Sequence, residues 1–269
     1  MSRTIIVGAA GRMGRQLIAD TIAADDLELA GAVDVAGSAA IGTDAGVLAG
    51  TQPCGIAVDD RLESCIDKAD AVIDFSSPDA MVVNATTAVK AGCGVVIGTT
   101  GYPAEAKEQL LALTRENEGR MVLAPNMSIG VNLLFHLCEY AGRLLGKDYD
   151  IEITEMHHNR KKDAPSGTAA RLGEKLAEAS GRDPAKAIIH GRSGITGPRR
   201  REEIAIHALR GGDVVGEHDV VFAADGERIT FGHKASSRQT FSGGALRAVR
   251  FLSEKGPGLY TMQDVLGIQ

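Results

Sequence analysis

Apolar positions follow two different patterns along the chain. In the first half, short β-branched runs at 4–7, 27–33, 71–74, 95–97 and 121–124 are separated by stretches of helical period at 14–24, 79–91 and 104–116. Strands interleaved with helices predict βαβ units, and therefore a parallel sheet covered on both faces. The pattern changes after Asn132. A helix at 131–145 is followed by strand-like segments at 149–155, 187–190, 203–210, 217–223 and 228–233, interrupted by one helix at 168–179. These strands are separated by turn residues instead of helices. They predict a second, α+β domain built on an open mixed or largely antiparallel sheet. A last helix at 243–253 has the character of the first half, so the chain is expected to return there. The expected division is 1–127 with 239–269 for the first domain and 128–238 for the second. The Gly- and Arg-rich segment 191–201 reads as a mobile loop, with Arg199, Arg200 and Arg201 on a solvated face.

Composition narrows the classes of function. Among 269 residues, 33 are glycine, against four Tyr, six Phe and no Trp, which favours tight turns and small-residue packing over aromatic clusters. The net charge of −6 argues against a nucleic acid or an anionic membrane as partner, and makes any cationic cluster informative. Cys54, Cys65, Cys93 and Cys138 form no CxxC pair and read as free thiols of a reducing compartment. No run approaches the roughly 20 apolar residues of a membrane span, and the apolar start reads as a strand entering glycines, not as a leader. A cytoplasmic enzyme is expected.

The first chemical signal is Thr4-Ile-Ile-Val-Gly8-Ala-Ala-Gly11-Arg-Met-Gly14, a strand entering a glycine turn that opens a helix. Glycines let the backbone approach a pyrophosphate, whose charge is met by free N–H groups at the positive end of the helix. The spacing is GxxGxxG, with Gly8 one residue earlier than the usual GxGxxG fingerprint. An acid follows twenty residues after Gly14: Asp34, at the end of the second strand, suited to a ribose 2′-hydroxyl. The first domain is therefore read as a Rossmann-like dinucleotide-binding domain. Asp34 and Val35 favour NADH, although Arg12 in the glycine loop leaves NADPH open. The loops Gly98-Thr99-Thr100-Gly101 and Ala124-Pro125-Asn126-Met127 end strands of the same parallel sheet and are expected near the nicotinamide.

The second signal is Glu155-Met-His157-His158-Asn-Arg160-Lys161-Lys162-Asp-Ala-Pro165-Ser166-Gly167-Thr168. Two imidazoles and three cations end a strand just before a helix whose N-terminus is Ser166, Gly167 and Thr168. Cations beside a helix N-terminus make a carboxylate site, and a His or Lys there is suited to protonate a substrate after hydride delivery. Plainer readings compete. Ser166 or Thr168 caps a helix in any case, and neighbouring His157 and His158 face opposite ways on a strand, so one of them packs or binds. Glu155, His157 and Asp163 would make a metal site only against the repulsion of the cations around them, and no metal is expected. The cysteines lack a basic, glycine-supported setting and read as buried thiols.

Taken together, these residues resemble the 4-hydroxy-tetrahydrodipicolinate reductase (dihydrodipicolinate reductase) family. The matching segments are VGAAGRMGR at 7–15, DFSSP at 74–78, GTTG at 98–101, APNMSIGVN at 124–132, EMHHNRKKDAPSGTA at 155–169, HKASSRQTF at 233–241 and GLYTMQDVLG at 258–267. The resemblance implies reduction of a small dicarboxylate, 4-hydroxy-tetrahydrodipicolinate, by NADH or NADPH in lysine and diaminopimelate biosynthesis, with loss of water. It implies a discontinuous first domain and a homotetramer formed through the second domain's sheet. His157 matches the family's acid/base histidine and Lys161 its proton-donating lysine. His158, Ser166, Gly167 and Thr168 match carboxylate-holding positions, and Arg238 is implied to lie near the substrate. Gly8, Ala9, Ala10, Gly11, Arg12, Met13, Asp34, Phe75, Gly98, Thr99, Thr100, Ala124, Pro125, Asn126 and Met127 match cofactor contacts. Where some members carry Glu-Arg this chain has Asp34-Val35, and where some carry Arg it has Ser77, which bears on NADPH preference. Two rivals are another two-domain oxidoreductase, such as a semialdehyde dehydrogenase using an activated cysteine, and a non-catalytic NAD(P) sensor, which would need the glycine loop but not His157 and Lys161.

Overall fold

The computed structural model describes residues 1–268, and the chain forms two compact units. One comprises Met1–Ile129 and the chain from Arg238 onward, the other Gly130–Ser237. The first unit opens with β1 (Ser2–Val7), α1 (Arg12–Ala23), β2 (Leu27–Val33), α2 (Ala45–Leu48), β3 (Val58–Asp59), β4 (Ala71–Asp74), α3 (Pro78–Lys90), β5 (Gly94–Ile97), α4 (Ala104–Glu116) and β6 (Arg120–Leu123). Every residue of β4 and β5 is buried. Strands covered on both faces are apolar along their length because neither face meets water, and β4 departs from this only at its last residue, Asp74.

The second unit follows: α5 (Ile129–Leu145), β7 (Asp150–His157), α6 (Gly167–Ala179), α7 (Pro184–Ala187), β8 (Ile188–His190), β9 (Ile204–Arg210), β10 (Gly216–Ala224) and β11 (Glu227–Ala235). Its five strands are ordered β11-β10-β7-β9-β8. β10 runs antiparallel to both β11 and β7, whereas β7, β9 and β8 are parallel, so the sheet is mixed. One face packs on α5 and α6 through Leu134, Phe135, Cys138, Leu172 and Leu176 against Ile151, Ile153, Ile206 and Phe222. The alternating burial of β7 and β10 marks this one-sided core.

The chain then returns as α8 (Gln239–Ser253), β12 (Gly258–Tyr260) and α9 (Met262–Leu266). β12 adds to β6, completing an all-parallel sheet of order β12-β6-β5-β4-β1-β2-β3. α1 and α8 cover one face, burying Leu17, Ile18, Ala245, Val249 and Leu252. α3 and α4 cover the other, burying Met81, Ala85 and Leu110. The fold is the doubly wound sheet plus mixed-sheet unit that the alternation of strands and helices predicts. β3 and β12, of two and three residues, are too short for a period-two signal.

Arg199 departs from the expectation of a solvated arginine face, whereas Arg200 and Arg201 are exposed as that expectation has them. Arg199 is largely buried, its guanidinium reaching Glu152 at 2.9 Å, Asp150 at 2.7 Å and the carbonyl oxygens of Ile151 and Glu203 at 3.1 and 2.6 Å. Arg192 adds two bonds to Glu152, at 3.0 and 2.8 Å. Burial opposes ionisation of Glu152, but Arg192, His207 and Arg199 outweigh it and hold its carboxyl down at about 2. Arginines that find carboxylates on a neighbouring strand anchor a loop that composition alone describes as free.

Candidate active site

In the first unit, the positions expected from sequence to contact a cofactor gather at the carboxyl ends of parallel strands, where ligands of such sheets bind. β1 runs into Gly8, whose φ of +83° and whose approach to the Phe75 carbonyl (a Cβ would sit 2.6 Å from that oxygen) admit only glycine. A Cβ on Gly14 would lie 2.1 Å from the Gly8 carbonyl oxygen, so α1 can start this close to the strand only with glycine there. Gly11 is the N-cap of α1 and no side chain caps it, which leaves the helix end to a ligand anion. At the end of β2, Asp34 accepts the Ala10 amide at 2.6 Å and the Val35 amide at 2.9 Å, so its carboxylate is fixed against the glycine loop. A cavity of about 630 Å³ opens beside it, lined among others by Gly8, Gly11, Arg61, Phe75 and Asn84.

Buried Asp74 ties the loops after β4 and β5 to helix α3. Its carboxylate accepts the Ser76 amide and hydroxyl at 2.9 and 2.7 Å, the Asn84 amide at 2.8 Å and the Thr99 hydroxyl at 3.0 Å. The Thr99 side chain is thus spent on the scaffold. Phe75 lies against Gly98, where a Cβ would meet its ring at 2.1 Å. Ala124 is buried and donates its amide to the Ile97 carbonyl, and Met127 is buried beneath Gly244 of α8. Arg238 lies in this first unit, as the N-cap of α8. Burial, and then the charge of Arg12, lower its guanidinium pKa, so the two cations lie within electrostatic reach of each other.

In the second unit, β7 presents Ile151, Ile153, Glu155 and His157 on one face by strand alternation. The stripe turns from apolar to polar where the N-terminus of α6 arrives. Glu155 is completely buried. One oxygen accepts the Ser166 amide at 3.0 Å and Arg210 Nη2 at 2.9 Å; the other lies 2.6 Å from His157 Nδ1 and accepts Arg210 Nη1 at 2.9 Å. Arg210 comes from β9, in register with His157. Burial pushes the Glu155 carboxyl up, but Arg210, then His157 and the Ser166 amide, bring it below its ordinary value. Arg210 Nη2 also donates to the Asp163 carbonyl at 2.7 Å, and the Asp163 carboxylate pairs with Lys161 Nζ at 2.9 Å. Lys161, and secondarily Arg210, hold the Asp163 pKa down.

Ser166 is the N-cap of α6 and accepts the Ala169 amide at 3.2 Å. Its hydroxyl also lies 3.0 Å from Nε2 of buried His218, which faces Glu155 across the β7–β10 pair. Burial, and then the charge of His157, push His218 down to about 3, so it is neutral at physiological pH. Its ring stands edge-on to His157, with centroids 5.2 Å apart. Gly167, the first residue of α6, has open space where a Cβ would be, His158 lies just past the end of β7, and Thr168 occupies the first turn of the helix.

His157, Lys161 and Ser166, chosen from sequence, thus share one hydrogen-bonded cluster. Glu155, Arg210 and His218 are the members that sequence reasoning missed. Glu155 had a signal, since it lies two residues before His157 on the same strand face; Arg210 and His218 had none. Among the described residues, no three His, Cys, Asp or Glu side chains are grouped to hold a metal ion. Burial raises the thiols of Cys65, Cys93 and Cys138, the last to about 12.

Family models described as the N-terminus and the C-terminus of dihydrodipicolinate reductase match residues 2–127 and 130–266. A curated protein of Anaeromyxobacter dehalogenans (strain 2CP-C), 4-hydroxy-tetrahydrodipicolinate reductase, is 50% identical, with coverage of 100% of this chain and 99% of the relative. The protein of the same name from Anaeromyxobacter sp. (strain Fw109-5) is 49% identical over the same shares. Among solved structures, dipicolinate-bound dihydrodipicolinate reductase from Paenisporosarcina sp. TG-14 superposes with a TM-score of 0.78 at 26% identity, covering 98% of each chain. An amine dehydrogenase from Mycobacterium smegmatis, with a TM-score of 0.59 at 13% identity over 97% of this chain and 95% of its own, shares the fold alone.

Proposed function

The chain belongs to the dihydrodipicolinate reductase family, an oxidoreductase family of lysine and diaminopimelate biosynthesis, and from that premise we propose that it reduces 4-hydroxy-tetrahydrodipicolinate to tetrahydrodipicolinate. The balance is substrate, NAD(P)H and one proton giving tetrahydrodipicolinate, NAD(P)⁺ and water from the 4-hydroxyl. When bound, the dinucleotide supplies a hydride from nicotinamide C4 to C4 of the substrate ring. The uncapped start of α1, the glycine contacts around Gly8 and Gly14 and the fixed Asp34 carboxylate suit such a cofactor. Gly8, Ala9, Ala10, Gly11, Arg12 and Met13 would hold its pyrophosphate, with Gly98, Thr100, Pro125 and Asn126 toward the nicotinamide.

His158, Thr168 and the start of α6 at Ser166 and Gly167 hold the substrate's carboxylates, and His157 with Lys161 supplies the proton. Arg238 is assigned to the substrate on resemblance; the repulsion it feels from Arg12 equally supports a shared contact with a cofactor phosphate. NADH is preferred over NADPH. Asp34, Asp60 and Glu63 line the cavity beside Arg61, and exposed Val35 brings no cation to meet a 2′-phosphate. We assign the enzyme to the cytoplasm and to a homotetramer built on the second unit's sheet, whose face away from α5 and α6 is only partly covered at Glu152, Thr154 and Val221.

The single observation that carries this reading is the bond between His157 and buried Glu155 at the mouth of a helix N-terminus flanked by Lys161. An NAD(P) sensor has no use for it. The raised pKa values of three cysteines speak against a semialdehyde dehydrogenase, which needs a thiolate. The test is NADH and NADPH oxidation, followed by absorbance, with substrate generated in place from pyruvate and aspartate semialdehyde by the preceding synthase. Substrate-dependent oxidation, faster with NADH, is expected. His157→Gln should lower kcat by about 10²–10⁴-fold, the size of a general-acid contribution, and leave NADH affinity intact. Cofactor binding without oxidation would overturn the reductase reading in favour of the sensor.

A further inference from the structure

We propose that Glu155 is the positioning residue of the proton-transfer site: its carboxylate, clamped by both Nη atoms of Arg210 and by the Ser166 amide, takes the Nδ1–H of His157 and fixes the ring in the tautomer whose Nε2 faces the substrate. The proposal rests on the reading of His157 given above and deepens it. Four donors surround the two oxygens of Glu155. An ionised carboxylate has no proton to offer, so where it meets an imidazole nitrogen the ring must be the donor. The 2.6 Å separation fits a charge-assisted bond of that kind.

The neighbouring groups leave Glu155 alone in this role. From β10, His218 turns Nε2 to the Ser166 hydroxyl and only a ring edge to His157. From the segment before α6, Lys161 is paired with Asp163. From β9, Arg210 divides its guanidinium between Glu155 and the Asp163 carbonyl, so one cation braces the carboxylate behind His157 and the loop that carries Lys161. From β11, His233 stands in register with His218.

On its far side the His157 ring meets Gly216. A Cβ on Gly216 would stand 3.0 Å from His157 Nε2, and glycine places no side chain there. Nδ1 is held, and Nε2 is left for chemistry. In the protonated ring, the Nε2 proton passes to the reduced substrate while the Nδ1 proton stays on Glu155's side. The product of the step is a neutral imidazole already in the required tautomer. A buried carboxylate is costly unless it is paired, and this pairing is directed at the one group that must not rotate or exchange tautomers.

The experiment is nitrogen-15 NMR of the His157 imidazole in the full-length protein, wild type, Glu155→Gln and Arg210→Lys, with kcat and the NADH KM measured on the same samples. In wild type the neutral ring should carry its proton on Nδ1. In Glu155→Gln the Ser166 amide and Arg210 Nη2 claim the remaining carbonyl oxygen and turn the NH2 toward His157, which should move the ring proton to Nε2 and lower kcat by about 10²-fold or more, as the loss of an orienting carboxylate does in a catalytic triad, with the NADH KM unchanged. Arg210→Lys keeps the carboxylate charged and should keep the proton on Nδ1. A wild-type ring protonated on Nε2, or a tautomer that Glu155→Gln does not alter, overturns the proposal; the wild-type spectrum decides even if the variant fails to fold. Full kcat in His157→Gln, with the wild-type proton on Nδ1, would sink the proton-donor reading while the hold of Glu155 on the ring stands.

Discussion

Replacing Arg210 by Met tests how much the second unit depends on a single buried ion pair. Methionine keeps most of the stem and removes the charge, both bonds to Glu155 and the bond to the Asp163 carbonyl. Glu155 is left buried with two donors instead of four. Breaking a buried pair by deleting one partner costs about 3–5 kcal/mol. The Arg210 side chain is 22% exposed, so water screens part of its charge, and a loss near the lower end, about 3 kcal/mol, is expected at pH 7. For a chain of this size that corresponds to a fall in Tm of roughly 6–12 °C. The loss should also depend on pH. In wild type the folded-state pKa of Glu155 lies below its ordinary value, because Arg210, His157 and the Ser166 amide together outweigh burial. Such a group stabilises the fold above the unfolded glutamate pKa, about 4.3, and that stability is lost as pH falls through the lower, folded value. Without Arg210, burial dominates and lifts Glu155 above its ordinary value, so the variant takes up a proton first and the gap between wild type and variant narrows as pH falls from 7 to about 4. Urea unfolding followed by circular dichroism at pH 7 and pH 4 measures both quantities. A loss under about 1 kcal/mol at pH 7, or an equal loss at the two pH values, would refute the coupling between Arg210 and the charge of Glu155.

His218 sets a second pH dependence. Its pKa, pushed from 6.5 to about 3 by burial and then by His157, means that the unfolded chain binds a proton the folded chain refuses. Stability should therefore fall as pH drops from about 6.5 to about 3, by up to about 1.4 kcal/mol per unit. His218→Gln, which retains a hydrogen-bonding amide for the Ser166 hydroxyl, should flatten this slope in a series of thermal melts; an unchanged slope removes His218 as its source. In the first unit, Gly98→Ala would drive the Phe75 ring, 2.1 Å from the new methyl group, toward the cofactor cavity that it lines. Overpacking costs about 1–3 kcal/mol, so NADH should bind roughly 5- to 150-fold more weakly in a fluorescence titration. Unaltered affinity would show that Phe75 is no wall of the cofactor site.

The first unit was legible in sequence because its signals are local. β4 and β5 are short apolar runs between helices, and Asp34 stands a fixed distance from Gly14 at the end of the next strand. The return of α8 to that unit was readable from its helical pattern. β12 was not, since three residues show no periodicity and their place beside β6 depends on where the tail is carried. Arg199 misled because composition describes a loop without saying that Glu152 and Asp150 lie within reach of its guanidinium.

The candidate active site divides along the same line. His157, Lys161 and Ser166 were visible because one unbroken stretch of chain carries them. Glu155 belongs to that stretch too, yet sequence offered it only as a metal ligand, because the cation that defines its role stands 55 residues away. Arg210 reaches it through the parallel register of β7 with β9, and His218 through the antiparallel register of β7 with β10. Register between strands is fixed by the buried faces of the whole sheet and not by any local motif. The division has chemical content. Groups proposed to touch the substrate can sit on one loop that a short motif specifies. The groups that set their protonation and orientation must approach from the sides and from behind, and in a sheet those directions belong to neighbouring strands that are distant in sequence. Hence a motif search recovers the proposed proton donors of this site and misses the carboxylate–guanidinium pair that braces them.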